Sequence, residues 1–360
     1  MINNAMRQSP MAKKSSPRKA PPRKSDTRRS IVKEEEQLYL IGKSADQRHS
    51  NTGLRCDAKR VRNAHTTRPA AANGATPVWP IEWSGKVKGH SWTLRQGNAV
   101  EALGTLRDNS VDCVVTSPPY FWLRNYGIEG QLGLEESVED YVRSITGVMS
   151  QVFRVLKADG LLFLNLGDTY YSGRGESHGH DTKSSKRRFG LRAVDRSGGL
   201  GINLQKKSAI GIPWRVTEKM CRENWILRSS IIWHRVKCLP EAVKDRPRRS
   251  YEFVFMFAKS RRYHFDRQPL IDKDVDEDVW TIPARPKSNG ALDTAPYPDE
   301  LVARCIDIGC KKGGVVLDPF AGSGTTLRVA LKKDRPTIGV ELHPHYCAHI
   351  VAELSKLAGK

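Results

Sequence analysis

Cysteine pairs, long apolar runs and acidic residues are all scarce in this sequence. Its seven cysteines include no C-x-x-C pair, which argues against a zinc site or a disulfide framework and suits a reducing compartment. No apolar run reaches the length of a membrane span, and the N-terminus lacks a signal-peptide core. Asp and Glu number 39 against 60 Lys and Arg, a formal net charge of +21. We therefore expect an intracellular protein with no membrane association, no metal site and a polyanionic partner.

More than half of the excess positive charge falls in residues 1–75. This segment holds 17 Lys and Arg against 6 Asp and Glu, a net charge of +11. Its apolar content is too low to offset the entropy of folding, so we predict a disordered basic tail followed by a folded domain over residues 76–360. The tail is interpreted as a tether to nucleic acid or a nuclear address, with a dispensable solvated segment as the alternative.

A buried strand that ends in two prolines organises the folded part. The apolar residues 113–115 run into Thr116-Ser117-Pro118-Pro119-Tyr120. Neither proline can donate to a strand ladder, and each biases the residue before it towards extended geometry. The sequence therefore predicts a rigid polar loop, residues 117–120, at the carboxyl end of a strand, where open α/β sheets bind ligands. We call it the SPPY loop. A hydroxyl, two free carbonyls and an aromatic ring suit a flat, amine-bearing substrate, whereas a plain proline-rich turn is the alternative reading.

A second strand, loop and helix follow far downstream. The strand 315–318 ends at Asp318, and a loop of small residues leads to a helix and then to the strand 337–341, which ends in Glu341. An acid about 20 residues past such a loop is the offset at which nucleotide-binding βαβ units hold ribose hydroxyls. A phosphate-binding lysine and the G-x-G-x-x-G spacing are both missing. The ligand is therefore expected to be a nucleoside with an amino-acid-like group. We call residues 319–325 the glycine loop.

Together the two motifs resemble the AdoMet-dependent amino DNA methyltransferases. Because the SPPY loop precedes the glycine loop, the order resembles the permuted beta class, and the T-S-P-P-Y form is most similar to the N4-cytosine members. The resemblance implies an α/β Rossmann-like methyltransferase fold, S-adenosyl-L-methionine as the cofactor and double-stranded DNA as the partner. It implies that catalysis rests on Ser117, Pro118, Pro119 and Tyr120, and that the cofactor is bound by Asp318, Pro319, Phe320, Ala321, Gly322, Ser323, Gly324, Thr325, Glu341 and Asn98.

The resemblance also assigns roles to these residues. The Ser117 hydroxyl and the Pro118 carbonyl accept the two hydrogens of the target amine, and Tyr120 stacks on a base extruded from the duplex. Asp318 contacts the methionine amino group and Glu341 the ribose hydroxyls. Relatives usually have an aspartate where this chain has Asn98, whose amide can still bond an adenine edge.

Three basic segments are expected to face DNA. The loop 121–126 is read either as a clamp for an extruded base or for backbone phosphates, or as aromatics packed on the core. The insertion 171–212 has nine basic residues against three acidic ones, and its histidines are read as solvated. The block 234–266, similar to the family's W-x-K-x-x-x-x-P-E-x-x-x-D-R-P segment, is expected to grip phosphates and to close in a hairpin at 263–266. The predicted DNA contacts are Arg124, Arg235, Lys237, Lys244, Arg246, Arg248 and Arg249.

Three functions remain open at this point. N4-cytosine methylation leads, N6-adenine methylation uses the same scaffold, and a non-catalytic DNA-binding protein with this fold is the rival of a different class. A carbon-5 cytosine enzyme needs a thiolate after a proline, and the sequence has no P-C pair. A restriction endonuclease that acts on the same site is a possible partner, and monomer and dimer are both open.

Overall fold

The protein is described here by a computed structural model, which covers residues 81–171, 204–205, 207–236, 243–284 and 296–358. The predicted tail, most of the insertion and Lys237 lie outside these ranges. The described strands are β1 (Ile81–Val87), β2 (His90–Gln96), β3 (Val111–Thr116), β4 (Leu156–Leu166), β5 (Ile226–His234), β6 (Tyr251–Ala258), β7 (Val279–Thr281), β8 (Val316–Asp318) and β9 (Thr337–Glu341). The described helices are α1 (Ala99–Gly104), α2 (Val138–Val155), α3 (Ile212–Arg222), α4 (Gln268–Ile271), α5 (Asp299–Gly309), α6 (Thr325–Lys332) and α7 (Pro344–Ala358).

The strands form a mixed sheet in the order β1-β2-β9-β8-β3-β4-β6-β5-β7. From β2 to β4 in this order, neighbouring strands are parallel. Beyond β4, strand β6 is antiparallel to both of its neighbours. The predicted α/β fold, with the SPPY strand before the cofactor strand in the chain, is confirmed. No helix among the described residues is long and apolar enough to cross a bilayer.

Helices cover both faces of the central strand β3, all six residues of which are buried. Val114 packs in one apolar cluster with the buried face of α2, while Cys113 and Val115 pack in another with that of α5. The helix α2 begins where the Ser137 hydroxyl accepts a 3.0 Å hydrogen bond from the Asp140 amide, and its apolar residues recur every three or four positions. The core thus holds β3 rigidly between β8 and β4, so that the SPPY loop and the glycine loop emerge side by side.

Two local predictions were incomplete or wrong. The sequence of residues 91–98 predicts one short strand and a turn, whereas the chain forms a hairpin of β1 and β2 whose two-residue turn has positive φ at Lys88 (49°) and Gly89 (83°). The hairpin predicted at 263–266 is absent from the described structure. The amides of His264 and Asp266 instead donate to the carbonyls of Asp159 and Ile308.

Candidate active site

The SPPY loop follows the carboxyl end of β3, and its backbone carbonyl groups differ in whether they accept a hydrogen bond. The Pro119 carbonyl accepts a 2.9 Å hydrogen bond from the Tyr141 hydroxyl, and the Tyr120 carbonyl accepts one of 3.2 Å from the Leu123 amide. None of the described residues donates to the Pro118 carbonyl. The loop is therefore anchored through its last two carbonyls, while the carbonyl that was predicted to accept an amine hydrogen keeps its lone pairs.

Tyr120 is held through its hydroxyl. That hydroxyl donates a 2.6 Å hydrogen bond to Glu252 Oε2, lies 3.2 Å from Asn165 Oδ1 and accepts a long 3.5 Å bond from Ser117 Oγ. Burial and, second, the negative charge of Glu252 raise the pKa of Tyr120 well above its usual range, so the phenol stays protonated and remains a donor.

The ring of Tyr120 is confined as well. A Cβ atom added at Gly167, the residue after β4, would lie 2.6 Å from Tyr120 Cε2. Only a glycine therefore lets the ring lie this close to the backbone. The hydroxyl and the ring edge of Tyr120 are thus both held by contacts with the protein.

Asp318 lies beneath the glycine loop, and its carboxylate is saturated by internal donors. Thr116 Oγ1 donates to Oδ1 at 2.7 Å, and Thr326 Oγ1 and the Tyr297 hydroxyl donate to Oδ2 at 2.7 and 3.0 Å. The Phe320 amide adds a fourth bond of 3.0 Å. Asp318 is only 1% exposed, and this burial raises the pKa of its carboxyl despite the four donors. The contact of Asp318 with the methionine amino group stays a prediction. The bonds also show that Asp318 holds the glycine loop through the Phe320 amide and links it to β3 through Thr116.

Glu341, at the end of β9, faces the glycine loop. Its Oε2 accepts a 2.7 Å bond from the Gly322 amide and its Oε1 a 2.8 Å bond from the His343 amide. Burial raises the pKa of this carboxyl to about 7, although the backbone donors act in the opposite direction. Gly322 and Gly324 both have positive φ (54° and 77°), which lets the loop wrap back towards this carboxylate.

Asn98 lies close to the same end of the sheet and has a structural role. Its Oδ1 accepts a 2.9 Å bond from the Val100 amide and caps helix α1. The preceding Gly97 donates its amide to the Glu341 carbonyl at 3.0 Å. Asn98 is thus beside the candidate cofactor pocket, and its predicted contact with an adenine edge remains a prediction.

The loop after Tyr120 packs on the core. Phe121 and Trp122 are 2% and 8% exposed, and Trp122 Nε1 donates a 2.6 Å bond to the Glu135 carbonyl. Of the two readings of this segment, the structure supports core packing for these two rings. Arg124 is half-buried in the same loop.

Both ends of the insertion are fastened at Asp168. The Asp168 carboxylate accepts bonds from the amides of Thr169, Gly211 and Ile212 at 2.9–3.1 Å. Tyr171 pairs with Lys207 and Ser208 through backbone bonds of 2.6 and 2.8 Å. A short antiparallel stem therefore closes the insertion where helix α3 begins.

The basic block folds back onto this stem. The Arg246 guanidinium lies 3.9 Å from the centre of the Tyr170 ring, and Arg249 donates to the Asp168 carbonyl. Arg235 forms a 2.7 Å ion pair with Glu252, whereas Lys244 and Arg248 are exposed. Stem and block border a cavity of about 300 Å³, whose lining includes Asp168, Tyr170, Trp214, Arg246, Arg248 and Glu252.

The part of the chain that carries both loops matches a known protein family. The family model for DNA methylases of the N6/N4 methyltransferase type matches residues 111–353, which include both loops. The chain belongs to this family. The methylase is 38% identical to the Type II methyltransferase M.Cfr9I of Citrobacter freundii over 292 residues, which cover 79% of this chain and 89% of that relative. It is 40% identical to M.XycI of Xanthomonas campestris pv. cyanopsidis over 260 residues, 71% and 84% of the two chains.

Solved structures agree with the fold. A candidate DNA modification methylase from Thermus thermophilus, complexed with S-adenosyl-L-methionine, is 26% identical and superposes with a TM-score of 0.51 over 74% of this chain and 95% of its own. The cytosine-N4-specific PvuII DNA methyltransferase, 19% identical, has a TM-score of 0.57 over 77% and 95%. The latter comparison shows the shared fold.

S-adenosyl-L-methionine is the cofactor of the methylase, and the residues at the ends of β8 and β9 fit it. The Glu341 carboxylate suits two vicinal hydroxyls of a ribose, because a carboxylate accepts two hydrogen bonds side by side. The glycine loop offers backbone close to a ligand, and a Cβ at Gly322 would meet only the Phe320 carbonyl, at 3.8 Å. Among the described residues no group of side chains could hold a metal ion.

Several residues of the site were not predicted from the sequence. Glu252 and Asn165 bond the Tyr120 hydroxyl, and Thr116, Tyr297 and Thr326 saturate Asp318. Tyr297 lies just before α5. Thr116 and Thr326 directly adjoin the two loops in the sequence, whereas Asn165 and Glu252 come from strands β4 and β6, where no local spacing marks them as partners of Tyr120.

Proposed function

We propose that this methylase transfers a methyl group to the exocyclic N4 amine of cytosine in double-stranded DNA. The observation that carries the proposal is the serine at position 117, beside a Pro118 carbonyl to which no described residue donates. Relatives that act on adenine more often have an acid or an amide where this chain has Ser117. Because the family includes both N6 and N4 methylases, membership does not identify the target base. We base the assignment of cytosine on the sequence of the SPPY loop.

The chemistry requires position more than activation. When bound, the cofactor would supply a methyl group that is already activated as a sulfonium: the S–CH3 bond would break as the N–CH3 bond forms, the sulfur would leave as a neutral thioether, and the nitrogen would release one hydrogen as a proton. The exocyclic amine of cytosine is a poor nucleophile, since its lone pair delocalises into the ring. Ser117 Oγ and the Pro118 carbonyl accept its two hydrogens and so favour a tetrahedral nitrogen with its lone pair directed at the methyl group.

Access to the SPPY loop requires that the cytosine leave the duplex. Tyr120, fixed by Glu252 and Gly167, then provides a flat surface against which the extruded base stacks. The exposed Lys244 and Arg248, with Arg124, Arg246 and Arg249, are proposed to contact phosphates next to this position. Because relatives that are 38% and 40% identical are Type II methyltransferases, we also propose that a restriction endonuclease with the same recognition sequence is its counterpart.

Nucleoside analysis tests the proposal directly. Genomic DNA from a bacterial strain without DNA methylation is incubated with the purified protein and AdoMet, digested to nucleosides and measured by mass spectrometry. We expect N4-methylcytosine from the wild type and a strongly reduced yield from Tyr120→Ala. N6-methyladenine as the sole product would replace the cytosine assignment. AdoMet binding without any methylated nucleoside would favour the non-catalytic alternative.

A further inference from the structure

Glu252 lies where three strands of the sheet end. It is the second residue of β6, opposite Trp233 of β5, and its side chain is 14% exposed. Its Oε2 accepts the Tyr120 hydroxyl at 2.6 Å and Asn165 Nδ2 at 3.2 Å, while its Oε1 accepts Arg235 Nη1 at 2.7 Å. The carboxylate thus bridges the SPPY loop, β4 and the basic block.

The charges in this network determine the role of Arg235. A half-buried carboxylate that receives only neutral donors is costly, and a guanidinium next to it offsets that cost. The Arg235 side chain is 23% exposed, and it follows β5, with its amide bonded to the Ser250 carbonyl at 2.7 Å. Arg235, which was predicted from the sequence to contact DNA, is therefore oriented inward, towards Glu252.

We propose that Glu252 is a positioning residue, which sets the Tyr120 ring against the target base through the Tyr120 hydroxyl, and that Arg235 acts as its counter-charge instead of as a DNA contact. This rests on the proposal that Tyr120 meets the extruded base. A phenylalanine at position 120 would keep the stacking surface but lose its fixed orientation. The hydroxyl is thus important for position, although it takes no part in the transfer itself.

A double-mutant cycle tests whether Glu252 acts through the Tyr120 hydroxyl. Single-turnover methyl incorporation into unmethylated genomic DNA is measured at saturating AdoMet for wild type, Glu252→Gln, Tyr120→Phe and the double variant. Loss of one hydrogen bond to a charged group should slow each single variant about tenfold. If Glu252 acts through the hydroxyl, the double variant is no slower than the slower single one. Multiplied effects, or full activity of Tyr120→Phe, would overturn the assignment.

Total methyl incorporation makes this readout independent of the target base, so it is distinct from the nucleoside analysis above. The matched control is Asp307→Asn. Asp307 is also half-buried (17% exposed) in a 2.7 Å ion pair, with Lys333, but near the carboxyl end of α5. We expect this variant to lower the melting temperature about as much as Glu252→Gln and to leave the transfer rate unchanged. An equal loss of rate in both variants would reduce Glu252 to a stabilising residue.

The salt dependence of DNA affinity tests whether Arg235 contacts a phosphate. A residue that neutralises one phosphate contributes about 0.9 to the slope of log affinity against log salt. For Arg235→Gln we expect an unchanged slope with a fluorescent DNA duplex and a transfer rate reduced about as much as in Glu252→Gln. A slope reduced by about 0.9, with the transfer rate retained, would return Arg235 to the phosphate contacts.

Discussion

The Thr116 hydroxyl donates a 2.7 Å hydrogen bond to the Asp318 carboxylate. The two residues end the adjacent parallel strands β3 and β8, so this bond ties the start of the SPPY loop to the start of the glycine loop. Both residues are buried, and water does not compete for the bond. The distance between the SPPY loop and the glycine loop is therefore fixed by a hydrogen bond inside the sheet.

Replacement of Thr116 by valine should loosen this link. The change keeps the shape of the side chain but leaves Asp318 one donor short, which should cost about 1.5–3 kcal/mol of unfolding free energy. Because the glycine loop can then shift, AdoMet affinity should fall as well. Isothermal titration and chemical denaturation measure the two effects.

Thr337→Val is the matched control. Thr337 is also buried, but it is the first residue of β9, at the amino-terminal end of the parallel strands. Its hydroxyl donates to the Val316 carbonyl at 3.0 Å. This variant should lose stability and keep its AdoMet affinity. Equal affinities in the two variants would contradict the link.

AdoMet binding should depend on pH through Glu341. The pKa of this carboxyl is raised to about 7, and hydroxyl donors from a ribose favour its ionised form. Affinity should therefore rise about tenfold from pH 6 to pH 8. Without cofactor the sign is opposite, since the raised pKa makes the protonated fold the more stable one and that contribution is lost as the pH rises through 7.

Glu341→Gln should flatten the pH profile of AdoMet binding. His343, bonded through its amide to Glu341, has its pKa lowered by burial, so it is neutral over most of this range and does not imitate the effect. A profile that persists in Glu341→Gln would place the titrating group elsewhere.

Ser117→Ala should lower turnover without abolishing it. The change removes one acceptor for the amine hydrogens but leaves the Pro118 carbonyl, and the loss of one preorganised polar contact typically costs ~10²–10³ in rate. AdoMet affinity should stay near that of the wild type. The measurement is single-turnover methyl transfer.

The control for this variant lies at the other end of the same strand. Ser110 immediately precedes β3, and its hydroxyl bonds only locally, to the Arg107 carbonyl at 2.6 Å. Ser110→Ala should retain the full rate. Full activity of Ser117→Ala would reduce Ser117 to a turn residue.

Gly167→Ala should displace the Tyr120 ring. The new methyl group would lie 2.6 Å from Tyr120 Cε2, so ring or backbone must move. We expect a lower transfer rate and intact AdoMet binding, measured on the same preparations. Gly160→Ala makes a contact just as short, 2.6 Å to Leu156 Cδ1, further back in β4. It should lower the melting temperature and leave the transfer rate nearly unchanged, whereas a rate loss shared by both variants would argue against a specific effect on Tyr120.

Deletion of residues 1–75 should change how DNA binding depends on salt. A net charge of +11 adds sequence-independent affinity through counterion release, so the slope of log affinity against log salt should become shallower. The bases that become methylated should stay the same. A truncated protein that methylates a different sequence would show that the tail reads bases.

The sequence predicted best the elements with a strong period or clear end signals. Pro298 and the regular apolar spacing after it predict a helix over residues 299–309, and the structure has that helix. The predicted strand Thr337–Glu341, which is short and rich in β-branched residues, was also placed correctly. Strand β1 was missed because Ile81 is 42% exposed and Gly85 interrupts the alternation. Strand β7 has only three residues, too few to show a period.

The site was predictable as two loops but not as a network. Proline and glycine mark the loops locally, because these residues restrict or free the backbone wherever they occur. The bond between Tyr120 and Glu252 joins residues 132 positions apart, and it depends on the placement of β6 next to β4. Arg235 shows the same limit, since a basic residue in a basic segment gives no sign that its partner is a carboxylate inside the protein.

The stem closed by Asp168 has a consequence for how such a methylase diversifies. The two ends of the insertion meet at one point, where the Asp168 carboxylate accepts hydrogen bonds from the amides of Gly211 and Ile212. Because loop-closure entropy grows slowly with length, a longer or shorter segment between these ends should cost little stability as long as the stem keeps its bonds. The stem thus makes the placement of the sheet and the two loops independent of the length of the segment that it closes.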